Sequence, residues 1–316
     1  MLTTLITFPE NFKNFTLLTV KSAANESMAF ISIIHHCNMS LFGNFTITEQ
    51  EMSEGGQAKL LTGQDLLTEN TIAVKVYQNE KKIPKDAFQK ELEVLRVLRG
   101  KKNICQAVGA YISPNYSAIA MEMYDCDLFK YAFEEGRALG EPQVRKLFKK
   151  ICSGVHHMHK AGVAHLDLKP ENILINYESE DIAICDFGLS YISTDNNRNS
   201  KLRITPCGTE EYLAPEVGIL RKYSPFAVDI YSLGCVLFVL LTGCFPSFNI
   251  TGDLIFPPSV HVSKPCKQFI NMLLTEDPDQ RPNIQQVLAH PYLYKNLLTS
   301  VIHFCKNSRN LIKKVQ

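Results

Sequence analysis

Apolar residues come in short, strand-like runs in the first half of the chain and at helical spacing in the second. TIAVKVY (71–77) and AIAMEMY (118–124) have the composition of buried strands. Between them, DAFQKELEVLRVLR (86–99) places Phe88, Leu92, Leu95 and Leu98 on one helical face. Residues 1–44 show no clear period and read as an extension to which the pattern assigns no structure. From Leu128 onward the period turns helical. EPQVRKLFKKICSGVHHMHKAG (141–162) repeats apolar positions and stops at a glycine, and CKQFINMLLTEDP and NIQQVLAHPYL follow further on. The predicted fold class is α+β, a small β-rich part with one helix ahead of a larger helical part, with a cleft between them. The boundaries read as an extension (1–44), a domain (45–295) divided between 122 and 123, and a tail (296–316).

Composition narrows the field. The chain has 316 residues, 45% hydrophobic and 21% charged, with a net charge of +1. Such a balance gives no reason to expect a nucleic-acid or membrane partner, and the basic end KNSRNLIKKVQ reads as a solvated tail. The apolar run LGCVLFVLLTGCF from Leu233 is too short to span a bilayer and reads as a buried helix. Ten scattered cysteines form no C-x-x-C pair and no zinc spacing, which points to a reducing compartment. The start, MLTTLITFPENF, lacks the charged and apolar regions of a secretory signal. An intracellular protein, cytoplasmic or nuclear and not secreted, is therefore expected. His156, His157 and His159 crowd one helix end without matching acidic or cysteine ligands, so they read as helix-end polar residues, not as a metal site.

The candidate chemistry is phosphoryl transfer, which needs held phosphates, a charge-balancing metal, an oriented acceptor hydroxyl and excluded water. Lys75, in the strand IAVK, is able to reach donor phosphates, and Glu91 on the following helix is able to pair with it. In HLDLKPEN, Asp167 is suited to orient an acceptor hydroxyl and take its proton. Lys169 is suited to neutralise the transferring group, and Asn172 to ligate a metal through its amide oxygen. Asp186, in ICDFGLS after a short apolar strand, supplies a metal carboxylate. Each motif alone is weak; H-x-D-L-x-x-x-N followed by an apolar strand is strong.

Over roughly 45–295 the chain resembles eukaryotic protein kinases of the serine/threonine type. It matches AVK, the helix glutamate, HLDLKPEN, DFG, APE (214–216), DIYSLG (229–234) and DPDQRP (277–282) in the family's order. The resemblance implies a two-lobed fold, ATP with Mg2+ (or Mn2+), and transfer to Ser or Thr hydroxyls of protein substrates. It implies a phosphate-covering loop through Ser53, Gly55, Ala58 and Leu60, and a base pocket of Leu60, Ala73 and Leu174. Met121 would guard the back of that pocket, Glu122 and Tyr124 would offer backbone groups to adenine, and Asp127 would meet the ribose. Glu216 would pair with Arg281, Asp229 would brace the catalytic loop, and Leu95, His165 and Phe187 would stack.

The departures are as informative. In SEGGQAKL only Gly55 keeps the family's glycine, so nucleotide binding is expected to be weakened. Leu166 stands where an arginine commonly receives an activation-segment phosphate. Kinases resembling myosin light-chain kinase also read HLDLKPEN, so the loop reads as active but not phosphate-switched, with Thr205 dispensable. Glu210 replaces a common proline, and the segment between GCFPSF and IFPPSV is short, so a helix there is expected to be truncated. Glu171 and Asp127 suggest a basic residue upstream of the acceptor. Two rivals remain: a pseudokinase that binds nucleotide or scaffolds without chemistry, and a small-molecule phosphotransferase.

Overall fold

A computed structural model of the protein describes residues 17–19, 39–42, 45–54, 58–78, 82–113, 116–135, 139–193, 207–219 and 222–294. The chain forms two compact units, one from 1–100 and 105–123, the other from 101–104 and 124–316.

The first unit is a seven-stranded sheet. Its strands are β1 (Leu17–Thr19), β2 (Met39–Phe42), β3 (Phe45–Glu54), β4 (Lys59–Asp65), β5 (Thr71–Gln78), β6 (Ala107–Ile112) and β7 (Tyr116–Glu122), in the order β1-β6-β7-β5-β4-β3-β2. All neighbours are antiparallel except β1 and β6. Two strands come from the segment 1–44, whose structure the sequence pattern does not assign. At three and four residues they are too short to show a period. Register decides which residues share a face. Leu60 lies opposite Lys75, and Ala73 opposite Met121. With a side-chain period of two, Leu60, Ala73, Lys75, Tyr77 and Met121 therefore project to one side. Ile72 and Val74 project to the other, where they pack with Phe45, Ile47, Ala118 and Ala120.

Helix α1 (Lys82–Val97) crosses the lysine-bearing face and contacts β5, β6 and β7. Phe88, Leu92, Leu95 and Leu98 are all buried, as their spacing predicts. The helix starts four residues before the periodic stretch, because the period marks only the turns that pack on the sheet.

The second unit is mainly helical. Its long helices are α2 (Glu141–Lys160) and α3 (Pro225–Thr242), followed by α4 (Lys264–Leu273) and α5 (Ile284–Ala289). Two small sheets carry the loops of interest: β8 (Cys126–Asp127), β10 (Ile173–Ile175) and β11 (Ile182–Ile184) in one, β9 (Val163–Ala164) and β12 (Tyr191–Ile192) in the other. Helix α3 is longer than the apolar run from Leu233. Ser224 caps it by accepting from Ala227 N, Pro225 opens its first turn, and Gly243 ends it in the left-handed region at φ 71°. Helix α3 is long and apolar enough to cross a membrane by length and composition alone, yet 72% of it is buried inside the protein, as in a core helix.

Between α3 and α4 the described residues contain no helix. The short segment closes instead as a turn, with Phe248 bridging Leu254. Asn249 Oδ1 accepts from Thr251 N and Asp253 N at 2.9 and 2.8 Å, and Gly252 supplies a φ of 81°.

One buried ion pair ties the loop before α3 to the loop before α5. Arg281 Nη1 and Nη2 donate to the two Glu216 oxygens at 2.7 and 3.0 Å, as the motif match implied. The guanidinium's other hydrogen bonds go to the carbonyls of Thr275, Ala227 and Glu276, so all five donors find an acceptor. Removing one member leaves an uncompensated charge. Glu216→Ala is expected to destabilise the second unit by about 3–5 kcal/mol, measured by chemical denaturation. Arg281→Lys, which lacks the fork, should not behave as conservative.

Candidate active site

The loop from His165 to Asn172 hangs between β9 and β10, and α3 holds it from beneath. Asp229, on the first turns of α3, has no solvent exposure. Its Oδ2 accepts from His165 N and its Oδ1 from Leu166 N, both at 2.8 Å. His159, at the end of α2, meets the same Oδ2 through Nε2 at 2.8 Å. The histidine cluster is thus partly structural: His159 serves Asp229, and His157 Nδ1 reaches Lys102 O at 2.9 Å.

So anchored, the loop presents Asp167 in a dense set of donors. Its Oδ1 accepts from Thr209 N at 2.8 Å and from Thr209 Oγ1 at 2.7 Å. Its Oδ2 accepts from Asn172 Nδ2 at 3.0 Å and lies 3.3 Å from Lys169 Nζ. Lys169 Nζ also donates to Thr209 Oγ1 at 2.7 Å. Asp167, Lys169 and Asn172 therefore converge, and Thr209 joins them from 42 residues downstream. The histidine before the aspartate is fixed as well. His165 Nε2 lies 2.9 Å from Cys185 O, Asp167 N donates to its Nδ1 at 3.2 Å, and its ring packs 5.3 Å from that of Phe187.

Asn172 and Asp186 occupy facing ends of the β10–β11 hairpin, and Cys185 N donates to Asn172 O at 3.0 Å. Asn172 spends its amide nitrogen on Asp167 O (2.8 Å) and Oδ2, which turns its amide oxygen into the group left for a ligand. Asp186 is exposed and has the left-handed φ of 61°. An amide oxygen beside a carboxylate is a hard, oxygen-only donor pair, the kind that suits Mg2+ when substrate phosphates complete the shell. The described residues hold no cluster of three or more His, Cys, Asp or Glu fit for a metal.

Leu166 is 3% exposed and, unusually for a branched residue, has φ 68°. It packs in a buried cluster with Ala214, Tyr223 and Val228, joined by Tyr191, Cys207, Val217 and Tyr231. Where a guanidinium would meet a phosphate, this chain puts an apolar contact to both ends of the segment from 187 to 216. Thr205 lies outside the described residues. Gly208 seats the segment on the loop: at φ 109°, a Cβ there would lie 2.6 Å from Leu166 O.

In the first unit, Lys75 Nζ pairs with Glu91 Oε2 at 2.8 Å. Leu60, Ala73 and Met121 share the face of Lys75, and Ala58 stands just before β4. Ser53 pairs with Leu60 across β3 and β4, and Gly55 lies outside the described residues. Glu122 N donates to Gln106 O at 3.0 Å, and Glu122 O accepts from Cys105 Sγ at 3.9 Å. Tyr124, Asp127 and Leu174 belong to the second unit, where Leu174 pairs with Asp127. Asp127 Oδ1 accepts from Lys130 N at 2.9 Å, a capping role the motif match did not reveal.

Residues 47–293 match the protein kinase domain. The chain is 30% identical over 88% of its length to a Dictyostelium discoideum protein named as a probable myosin light chain kinase, and covers 82% of it. It is 31% identical over 80% of its length to the mouse hormonally up-regulated neu tumor-associated kinase, covering 37% of that protein. It is 30% identical over 81% of its length to CBL-interacting serine/threonine-protein kinase 5 of Arabidopsis thaliana, covering 59% of that one.

The close approach at Gly208 has a measurable consequence. Gly208→Ala should cost about 1–3 kcal/mol in thermal unfolding, from backbone strain plus the clash with Leu166 O. Gly218→Ala has a comparable φ of 84° but nothing within 4 Å of the added Cβ, and should cost only the strain, about 1 kcal/mol.

Proposed function

The chain belongs to the protein kinase family, and from that premise we propose that it transfers the γ-phosphoryl group of ATP to Ser or Thr hydroxyls of protein substrates. The observation that carries this is the environment of one hydroxyl. Thr209 Oγ1 donates to Asp167 Oδ1 at 2.7 Å and accepts from Lys169 Nζ at 2.7 Å. A carboxylate that aims a hydroxyl and an ammonium that meets the same oxygen are the two groups such a transfer asks of a protein.

In this reading Asp167 orients the acceptor hydroxyl and receives its proton as the oxygen attacks the γ-phosphorus and the bond to the β–γ bridging oxygen breaks. Lys169 offsets charge on the transferring group. Lys75, steadied by Glu91, holds the α- and β-phosphates. Asn172 and Asp186 would hold Mg2+, or Mn2+, whose contribution is to offset phosphate charge. Leu60, Ala73 and Leu174 would enclose the base, with Met121 behind it, the backbones of Glu122 and Tyr124 at its edge, and Asp127 near the ribose. Ser53, Gly55 and Ala58 would cover the phosphates.

Three finer points belong to the same proposal. The apolar seat of Leu166 supports an activation segment held without phosphate. The exposed Glu171, together with the half-buried Asp127, supports a basic residue upstream of the acceptor. The scattered free thiols support an intracellular setting, cytoplasmic or nuclear.

The decisive comparison uses labelled ATP, Mg2+ and a mixed protein substrate, with the full chain beside Asp167→Asn. Label on Ser or Thr is expected, and a loss of at least about a hundredfold in the variant with nucleotide binding retained. Binding without transfer by the unaltered chain would favour a pseudokinase instead. Thr205→Ala is expected to keep most of the activity. A fall of about a hundredfold in kcat, the scale of losing an ordered segment, would contradict phosphate-independent switching.

A further inference from the structure

Lys75 and Glu91 have a third partner. Tyr77 stands two residues after Lys75 on the same face of β5, so both reach toward α1. Its side chain is 1% exposed. Its hydroxyl donates to Glu91 Oε2 at 2.5 Å, the oxygen that also takes Lys75 Nζ. Its ring meets Phe88, one helical turn before Glu91, edge-on at 5.6 Å. The Lys75 ammonium lies 5.7 Å from the centre of that ring. Glu91 is itself 1% exposed, and its Oε1 has no hydrogen-bond partner among the described residues.

The geometry has a consequence for the ion pair. A carboxylate gripped through one oxygen by a flexible lysine is free to pivot, and a lysine stem carries much rotamer entropy. A phenol on a strand has two torsions and a ring locked by packing, so it fixes the acceptor oxygen in place. In protein kinases the lysine–glutamate pair must be in place for transfer, and helix position controls it.

We propose that Tyr77 is a positioning residue that latches α1 to β5 through Glu91, so that Lys75 is held in its pairing geometry by the first unit alone. The helix is then set by the chain's own strand, with no need of a ligand or a second protein to bring Glu91 in. The part concerning catalysis rests on Lys75 acting on phosphates; the latch itself does not.

The test separates those two. Hydrogen exchange across residues 88–97 and affinity for Mg·ATP are measured in the full chain, in Tyr77→Phe, in Glu91→Met and in the double variant. Tyr77→Phe keeps the ring and loses only the hydroxyl. It should speed α1 exchange by about tenfold, the effect of losing one hydrogen bond to a charged group. It should also weaken Mg·ATP binding several-fold. In the Glu91→Met background the same change should add less than about twofold to either, because the partner is already gone. Unchanged exchange in Tyr77→Phe, or an equal increment in both backgrounds, would overturn the latch and leave Tyr77 as a packed core residue. If exchange responds as expected and the unaltered chain binds no ATP, the latch stands and the phosphate role of Lys75 falls.

Discussion

A single carboxylate without solvent access sets the geometry of the second unit. Asp229 gathers two backbone N–H groups from consecutive loop residues and one imidazole, each at 2.8 Å. Burying that charge is costly unless each oxygen is matched to donors, and here each is. The return is a loop whose next residue, Leu166, is kept in a left-handed conformation that a branched side chain resists. The approach of Thr209 to Asp167 is tied to that conformation. The carbonyl of Leu166 defines how near Gly208 must come, and Gly208 delivers Thr209 to the carboxylate.

Leu166 gains its meaning from these contacts. Left-handed strain and an apolar seat act on one residue: Asp229 fixes its N–H, while Ala214, Tyr223 and Val228 enclose its side chain. An arginine in the same backbone position would place a charge among those groups, where desolvation opposes it unless an anion is supplied. The leucine removes that dependence. Tyr77 acts in the same spirit in the first unit, where a neutral hydroxyl buttresses an ion pair from inside the fold. Each unit thus carries its own internal support for a part that the family needs in register.

Sequence reading reached what is local and periodic. The face formed by Phe88, Leu92, Leu95 and Leu98 is visible because helical spacing repeats, and the order of HLDLKPEN, DFG and APE is visible because motifs are contiguous. Lys75 with Glu91, Asp229 with the loop, and Glu216 with Arg281 were legible through the resemblance to kinases and are present as bonded pairs. What escaped is set by long-range packing. The partners of Leu166 are spread from Tyr191 to Tyr231, and no window of sequence joins them. Tyr77 looks like an ordinary strand aromatic until the helix brings a carboxylate to its hydroxyl. His159 reads as a helix-end residue until α3 arrives beside it. The turn at 249–253 replaces an expected remnant of helix because Asn249 satisfies two backbone donors locally. Strands Leu17–Thr19 and Met39–Phe42 are too short to announce themselves.

The most direct measurement is an experimental structure of the full chain with Mg2+, a non-hydrolysable ATP analogue and a serine peptide. The account predicts a metal ion ligated by the amide oxygen of Asn172 and the carboxylate of Asp186, Lys75 on the α- and β-phosphates, and the serine hydroxyl hydrogen-bonded to Asp167. A metal and triphosphate held by other residues, or a peptide hydroxyl far from Asp167 with the loop unchanged, would contradict it.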